Sequence, residues 1–311
     1  MGDRVAAIAA VGLLCLTGCS GDHGDDAAPA ETLEAVTTMT TTPPPASSRS
    51  LATTVEPAPD LPGYNIYRPS DLDATGAPLP IVVWANGGCF RHDATWQTLL
   101  ERWAAAGFFV VAITEPRPEA PLTATDLTTA EDQAKAIDWA VAQDDAASAY
   151  AGHLDVERVV AAGNSCGGIT SLALAGQDDR VRAVFVLSGS SVGPGATREQ
   201  ATAVMTHVSV PVGFAVGAAE DLAHPQALQD YEVLPAGVPG FVASRASGDH
   251  VLVSTDTGIL AEAAEIGINW MDLVLYGNET ARQAVAERPC GACAADLWTV
   301  AAKHLDALPV A

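Results

Sequence analysis

Basic residues are scarce in this 311-residue sequence: 15 Lys and Arg stand against 38 Asp and Glu, a formal net charge of −23 and a pI near 4.4. A phosphate backbone is held by Lys and Arg that neutralise it, so the deficit excludes nucleic acid as a partner on charge alone. The same sign disfavours anionic membrane surfaces. The N-terminal apolar run, Val5 to Cys15, falls short of the roughly 20 residues of a transmembrane helix. There is no Gly-x-Gly-x-x-Gly, no metal-ligand motif and no internal repeat, so neither a metal nor an organic cofactor is expected. Against these absences stand 49% hydrophobic residues and 20 prolines spread along the chain, enough for a sizeable core and unlike a disordered acidic tail.

The apolar run leads directly into Leu16-Thr17-Gly18-Cys19. Residues 1–18 read as a signal peptide, outside any fold reasoning. Leu-Thr-Gly-Cys resembles the bacterial lipobox, which implies a lipid on Cys19 and an exported cell-envelope lipoprotein that meets the membrane through that anchor only. An ordinary cleaved signal with an incidental Cys is the alternative. Residues 19–55 carry Thr37 to Thr42, Pro43 to Pro45 and several acidic residues with few large apolar ones, a composition that predicts an extended tether. Residues 56–311 are then one domain, expected to be monomeric.

Within that domain strand-length apolar runs alternate with helical patterns. The strands are predicted at Ile81 to Trp84, Phe108 to Ile113, Arg158 to Ala162, Val181 to Leu187, Val210 to Val216 and Gly240 to Ala243. Helices are predicted at Thr95 to Ala106, Thr129 to Ala142, Cys166 to Ala175, Arg198 to His207, Leu222 to Leu234 and Leu260 to Tyr276. This alternation specifies an α/β fold, a mostly parallel central sheet with helices on both faces, whose site lies at the carboxyl ends of the strands. The stretch between Leu187 and Val210 spans only about 20 residues, and no other insertion is large enough for a cap domain. An open cleft able to meet small or polymeric substrates is expected.

Gly163-Asn164-Ser165-Cys166-Gly167-Gly168 sits where a strand passes into a helix. Glycines on both sides of Ser165 permit a sharp turn that exposes its hydroxyl, the arrangement of a nucleophile. Chain order supplies two checks, because in this architecture an acid and then a base follow after later strands. Asp221 follows the strand ending at Val216, with Glu220 as a fallback, and His250 follows the strand ending at Ala243. Asp249 is too close to His250 in sequence to orient it. His224, His207 and His304 are poorly located for the base, and His92 and His153 read as ordinary solvated histidines. The developing oxyanion needs donors: the N–H of Cys166 at a helix start and that of Gly88, with Cys89 next in order, in the Gly pair after the first central strand.

These motifs identify the chain as similar to the α/β-hydrolase superfamily, over roughly the whole domain. More narrowly it resembles secreted cutinases, polyester hydrolases and dienelactone hydrolases, some of which carry an Asn-Gly-x-Cys loop, a Gly-x-Ser-Cys-Gly-Gly elbow, an Asp-Ile-Ala-x-Pro stretch and a late Cys-Gly-x-Cys. Here those positions read Asn86 to Cys89, Gly163 to Gly168, Asp221 to Pro225 and Cys290 to Cys293. The resemblance favours Asp221 over Glu220. It implies an ester hydrolase working through an acyl-enzyme; Ser165, where dienelactone hydrolases have Cys, points to ordinary esters. A peptidase or acyltransferase with the same triad, or an inactive surface binding protein on the same fold, are the alternatives.

Of six cysteines, Cys15 leaves with the signal and Cys19 is lipidated, which leaves an even set in an exported chain. Two donors that grip one oxygen must be close, so Cys89 and Cys166 are expected to bridge, leaving Cys290 with Cys293.

Overall fold

The computed structural model describes residues 49–115, 127–145, 147–287 and 297–310. Cys19, the signal peptide, nearly all of the tether, Cys290 and Cys293 lie outside them.

The strands are β1 (Thr53–Pro57), β2 (Tyr64–Pro69), β3 (Leu79–Ala85), β4 (Phe109–Ile113), β5 (Leu154–Asn164), β6 (Val181–Leu187), β7 (Val212–Val216), β8 (Gly240–Arg245) and β9 (Trp298–Lys303). They form a single nine-stranded sheet in the order β1-β2-β4-β3-β5-β6-β7-β8-β9. From β4 through β8 all neighbours are parallel, while β1, β2 and β9 pair antiparallel at the two edges. Every residue of β3 and β4 is buried, as expected of parallel strands covered on both faces. Side chains alternate across the sheet: Ile81 and Val83 enter one core, Val82 and Trp84 the other.

Helices α1 (Gln97–Ala105), α7 (Thr257–Tyr276) and α8 (Glu279–Glu287) cover the Trp84 face. Trp270 and Trp103, both fully buried, turn their indole N–H groups onto the carbonyls of Val184 and Ala264, so their bulk is buried without an orphaned donor. Helices α2 (Ala130–Asp145), α3 (Cys166–Ala175) and α5 (His224–Val233) cover the other face. Between β6 and β7 lies only α4 (Arg198–Met205), started by a capping box of Thr197 and Gln200. A short α6 (His250–Thr255) follows β8. No helix among the described residues is long and apolar enough to cross a membrane.

The folded part begins earlier than the expected boundary at residue 56. Thr53 to Pro57 is the edge strand β1, paired along its whole length with β2, and Leu51 N–H already donates to Ala105 O. The tether reading of residues 53–55 is therefore corrected. Two half-buried threonines carry no hydrophobic run, so the strand is specified by its partner rather than by its own pattern. The same holds for β9, four of whose six residues are exposed or half-buried hydrophilic and small side chains. His304 takes a left-handed conformation just after β9.

Candidate active site

β5 ends in Asn164, and α3 opens at Cys166, so Ser165 alone makes the turn between them. Its backbone sits at φ 49°, ψ −114°, a conformation a non-glycine residue holds only when its surroundings enforce it. Those surroundings are tight. A Cβ on Gly167 would lie 2.1 Å from Ala85 O, and one on Gly163 would lie 2.4 Å from the Gly167 backbone. Ser165 N–H donates to Leu187 O on the neighbouring strand, and Gly168 N–H returns to Ser165 O.

The turns after β7 and β8 are joined to each other, which brings two distant segments together. Ala218 N–H donates to Gly248 O at 2.8 Å. Asp221, almost wholly buried, lies on one side of this contact and His250 on the other. His250 Nδ1 stands 2.7 Å from Asp221 Oδ1, and His250 Nε2 stands 2.9 Å from Ser165 Oγ. A carboxylate only accepts, so Nδ1 carries the proton and Nε2 is left to accept from the Ser165 hydroxyl. Burial pushes the Asp221 carboxyl up, but hydrogen bonds from His250 and from the N–H groups of Ala223 and Gly217 together outweigh it and hold the pKa below the usual carboxylate value. The buried Ser188 hydroxyl favours the anion as well, although its geometry falls outside an ordinary hydrogen bond. The competitors stand elsewhere: Glu220 and Asp249 are exposed, and His224 begins α5.

Cys89 and Cys166 form a disulfide that ties the loop after β3 to the nucleophile turn. In that loop Gly88 takes a left-handed φ of 65° within a short 3₁₀ turn. Asn86 is buried beneath it, accepting from Trp84 Nε1 and donating to the carbonyls of Phe90 and Ile113. Gly88 and Ser165 both line a cleft of about 290 Å³, whereas Cys89 is buried behind it.

The other walls of the cleft include Phe90, His92, Trp96, Val251 and Thr255. His92 thus differs from its reading as a solvated histidine: its ring stacks on Phe90, with centroids 5.7 Å apart and planes 10° apart. No strand alternation marks this side: Gly87 to Cys89 form a 3₁₀ turn, with Gly88 and Cys89 at positive φ, and Arg91 lies at a bend, so local turns send residues 88, 90 and 92 to the cleft. Among the described residues no cluster of His, Cys, Asp and Glu could hold a metal ion.

Among curated proteins no relative matches the chain. The family model described as X-Pro dipeptidyl-peptidase (S15 family) matches residues 63–232, more than half of the chain, taking in Ser165 and Asp221 and ending before His250. With its parallel sheet and nucleophile turn, the chain belongs to the S15 family, within the α/β-hydrolase superfamily of serine hydrolases.

Proposed function

We propose that the protein is a carboxylic ester hydrolase in which Ser165 is the nucleophile, His250 the general base and acid, and Asp221 the residue that orients it. The observation that carries this reading is the single imidazole bridging a buried carboxylate and the strained serine at the mouth of a cleft. In the reaction His250 Nε2 takes the Ser165 proton as Oγ attacks the substrate carbonyl, and Asp221 stabilises the resulting imidazolium. The N–H groups of Gly88 and Cys166 hold the oxyanion, the second at the positive end of α3. Collapse expels the alcohol, which takes the proton back from His250 and leaves an acyl-serine. Water, deprotonated by the same imidazole, then releases the acid and restores Ser165.

A peptidase is the second reading, favoured by the name of the matching family model. Removing a dipeptide from a free N-terminus requires a group that pairs with the terminal ammonium. The titratable side chains lining the cleft, among the described residues, are His92 and His250, and the rest of the lining is apolar, hydroxyl, amide or glycine. Such a lining suits a neutral acyl group better than an ammonium. Side-by-side turnover of p-nitrophenyl esters and Xaa-Pro p-nitroanilides, with Ser165→Ala as control, separates the two. Ester cleavage without proline-dependent anilide cleavage supports the first reading, and proline-dependent anilide cleavage supports the second.

We propose further that Cys19 carries lipid and holds the domain outside the cytoplasm, on the strength of Leu16 to Cys19 following an apolar run.

A further inference from the structure

The segment from Gly88 to Asp93 has two sides. Gly88, Phe90 and His92 face the cleft. The residues between them are each fastened to a different part of the fold. Cys89 is bonded to Cys166. Asp93, buried, accepts hydrogen bonds from Tyr67, Asn65 and Thr114. Arg91, its side chain only 15% exposed, reaches Glu115 through Nη2 at 2.6 Å and Asp132 through Nη1 at 2.9 Å.

Of these three anchors Arg91 reaches two elements through one charged group. Glu115 lies just beyond the end of β4, and Asp132 lies in the first turn of α2. Asp132 is itself fixed, because its Oδ2 also accepts from the Thr129 backbone N–H and hydroxyl. One planar guanidinium therefore ties the cleft wall to a strand end and a helix start at once, a geometry that a point-charge ammonium cannot reproduce. Thr128 adds a parallel tie, its N–H donating to Cys89 O.

We propose that Arg91 is a positioning residue: forked between Glu115 and Asp132, it sets where Gly88, Phe90 and His92 stand relative to Ser165. This inference rests on the hydrolase reading above. Misplacement of an oxyanion donor is felt in the transition state more than in ground-state binding, so loss of the fork lowers the rate of the chemical step and leaves affinity nearly unchanged.

The test is the kinetics of inactivation by an aryl fluorophosphonate, which resolves an initial affinity (KI) from a bond-forming rate (kinact) and needs no knowledge of the natural substrate. Arg91→Lys keeps the charge but loses the fork, and Glu115→Gln removes the charge of one arm at a half-exposed site while leaving an amide oxygen that can still accept. The expected result is a fall in kinact of about tenfold for Arg91→Lys and a smaller fall for Glu115→Gln, with KI within about twofold of wild type in both. An unchanged kinact in folded Arg91→Lys overturns the proposal. If that variant does not fold, an unchanged kinact in Glu115→Gln overturns it instead. A fall in the labelled fraction without a fall in kinact also overturns it, because that is the mark of a purely structural role. A wild-type chain inert to the phosphonate overturns the hydrolase reading and this one together, which distinguishes the two failures.

Discussion

Cys89 and Cys166, 77 residues apart in sequence, are covalently joined with their Cα atoms 5.1 Å apart, so the loop that carries Gly88 and the turn that carries Ser165 form one cross-linked unit. A bridge that closes so long a loop restricts the unfolded chain strongly, by about 4 kcal/mol in the chain-entropy account. It also holds two proposed oxyanion donors in register.

Cys89→Ser is accordingly expected to lower kcat on a chromogenic ester by about tenfold while KM moves less than about threefold. Urea unfolding should show a loss of about 2–4 kcal/mol. A variant with wild-type kcat would separate the bridge from catalysis.

Asp221 stays ionised to lower pH than an ordinary aspartate because its hydrogen bonds outweigh its burial. Its folded-state pKa is depressed, so the stability it contributes is present above the unfolded value near 3.9 and is lost only as pH falls through the lower folded value. Activity lost between pH 7 and 5 is thus not caused by protonation of Asp221. Asp221→Asn, which cannot hold His250 in the required tautomer, should lower kcat by about 10³ to 10⁴ at every pH in that range. A pH-rate profile of the variant checks both statements.

Asp230 on α5 behaves in the opposite sense. Burial pushes its carboxyl up to about 6, opposed only in part by the hydroxyl and N–H of Ser191 in the loop after β6. With the folded pKa above the unfolded one, protonation favours the fold: the contribution is full below about pH 4 and is lost as pH rises through about 6. Asp230→Asn should therefore raise stability at pH 7 by up to about 3 kcal/mol and flatten the stability profile between pH 4 and 7. Thermal melts of both proteins across that range decide it, and a parallel profile in the variant would contradict the assignment.

Gly167→Ala tests the tightness of the nucleophile turn. The added Cβ would meet backbone at 2.1 Å, where no side chain can yield, so a destabilisation of about 3–5 kcal/mol is expected, measurable by urea unfolding.

Cys19→Ser is expected to release the protein from the membrane fraction of a bacterial host, and N-terminal mass analysis of the wild type should find the lipid on Cys19. Unchanged membrane association in the variant would contradict the proposal.

The central strands were legible because burial on both faces demands unbroken Val, Ile and Phe runs, and Val181 to Leu187 matches β6 residue for residue. Ser165, Asp221 and His250, chosen from the elbow motif and chain order, meet in space because each follows the carboxyl end of a parallel strand, β5, β7 or β8. What escaped was set by tertiary contact. Neither Thr53 to Pro57 nor Trp298 to Lys303 has a strand pattern of its own, and both are edge strands held by a neighbour. His92 and Arg91 escaped for a related reason: the two sides of a loop are told apart only by what packs against each, here the cleft for one and Glu115 with Asp132 for the other.

Whether Ser165 is a nucleophile activated by His250 is tested most directly by peptide mapping after fluorophosphonate labelling. The prediction is a single adduct on Ser165, absent from Ser165→Ala and slowed by about 10³ or more in His250→Ala. An adduct on another residue, or equal labelling of Ser165 without His250, would contradict it.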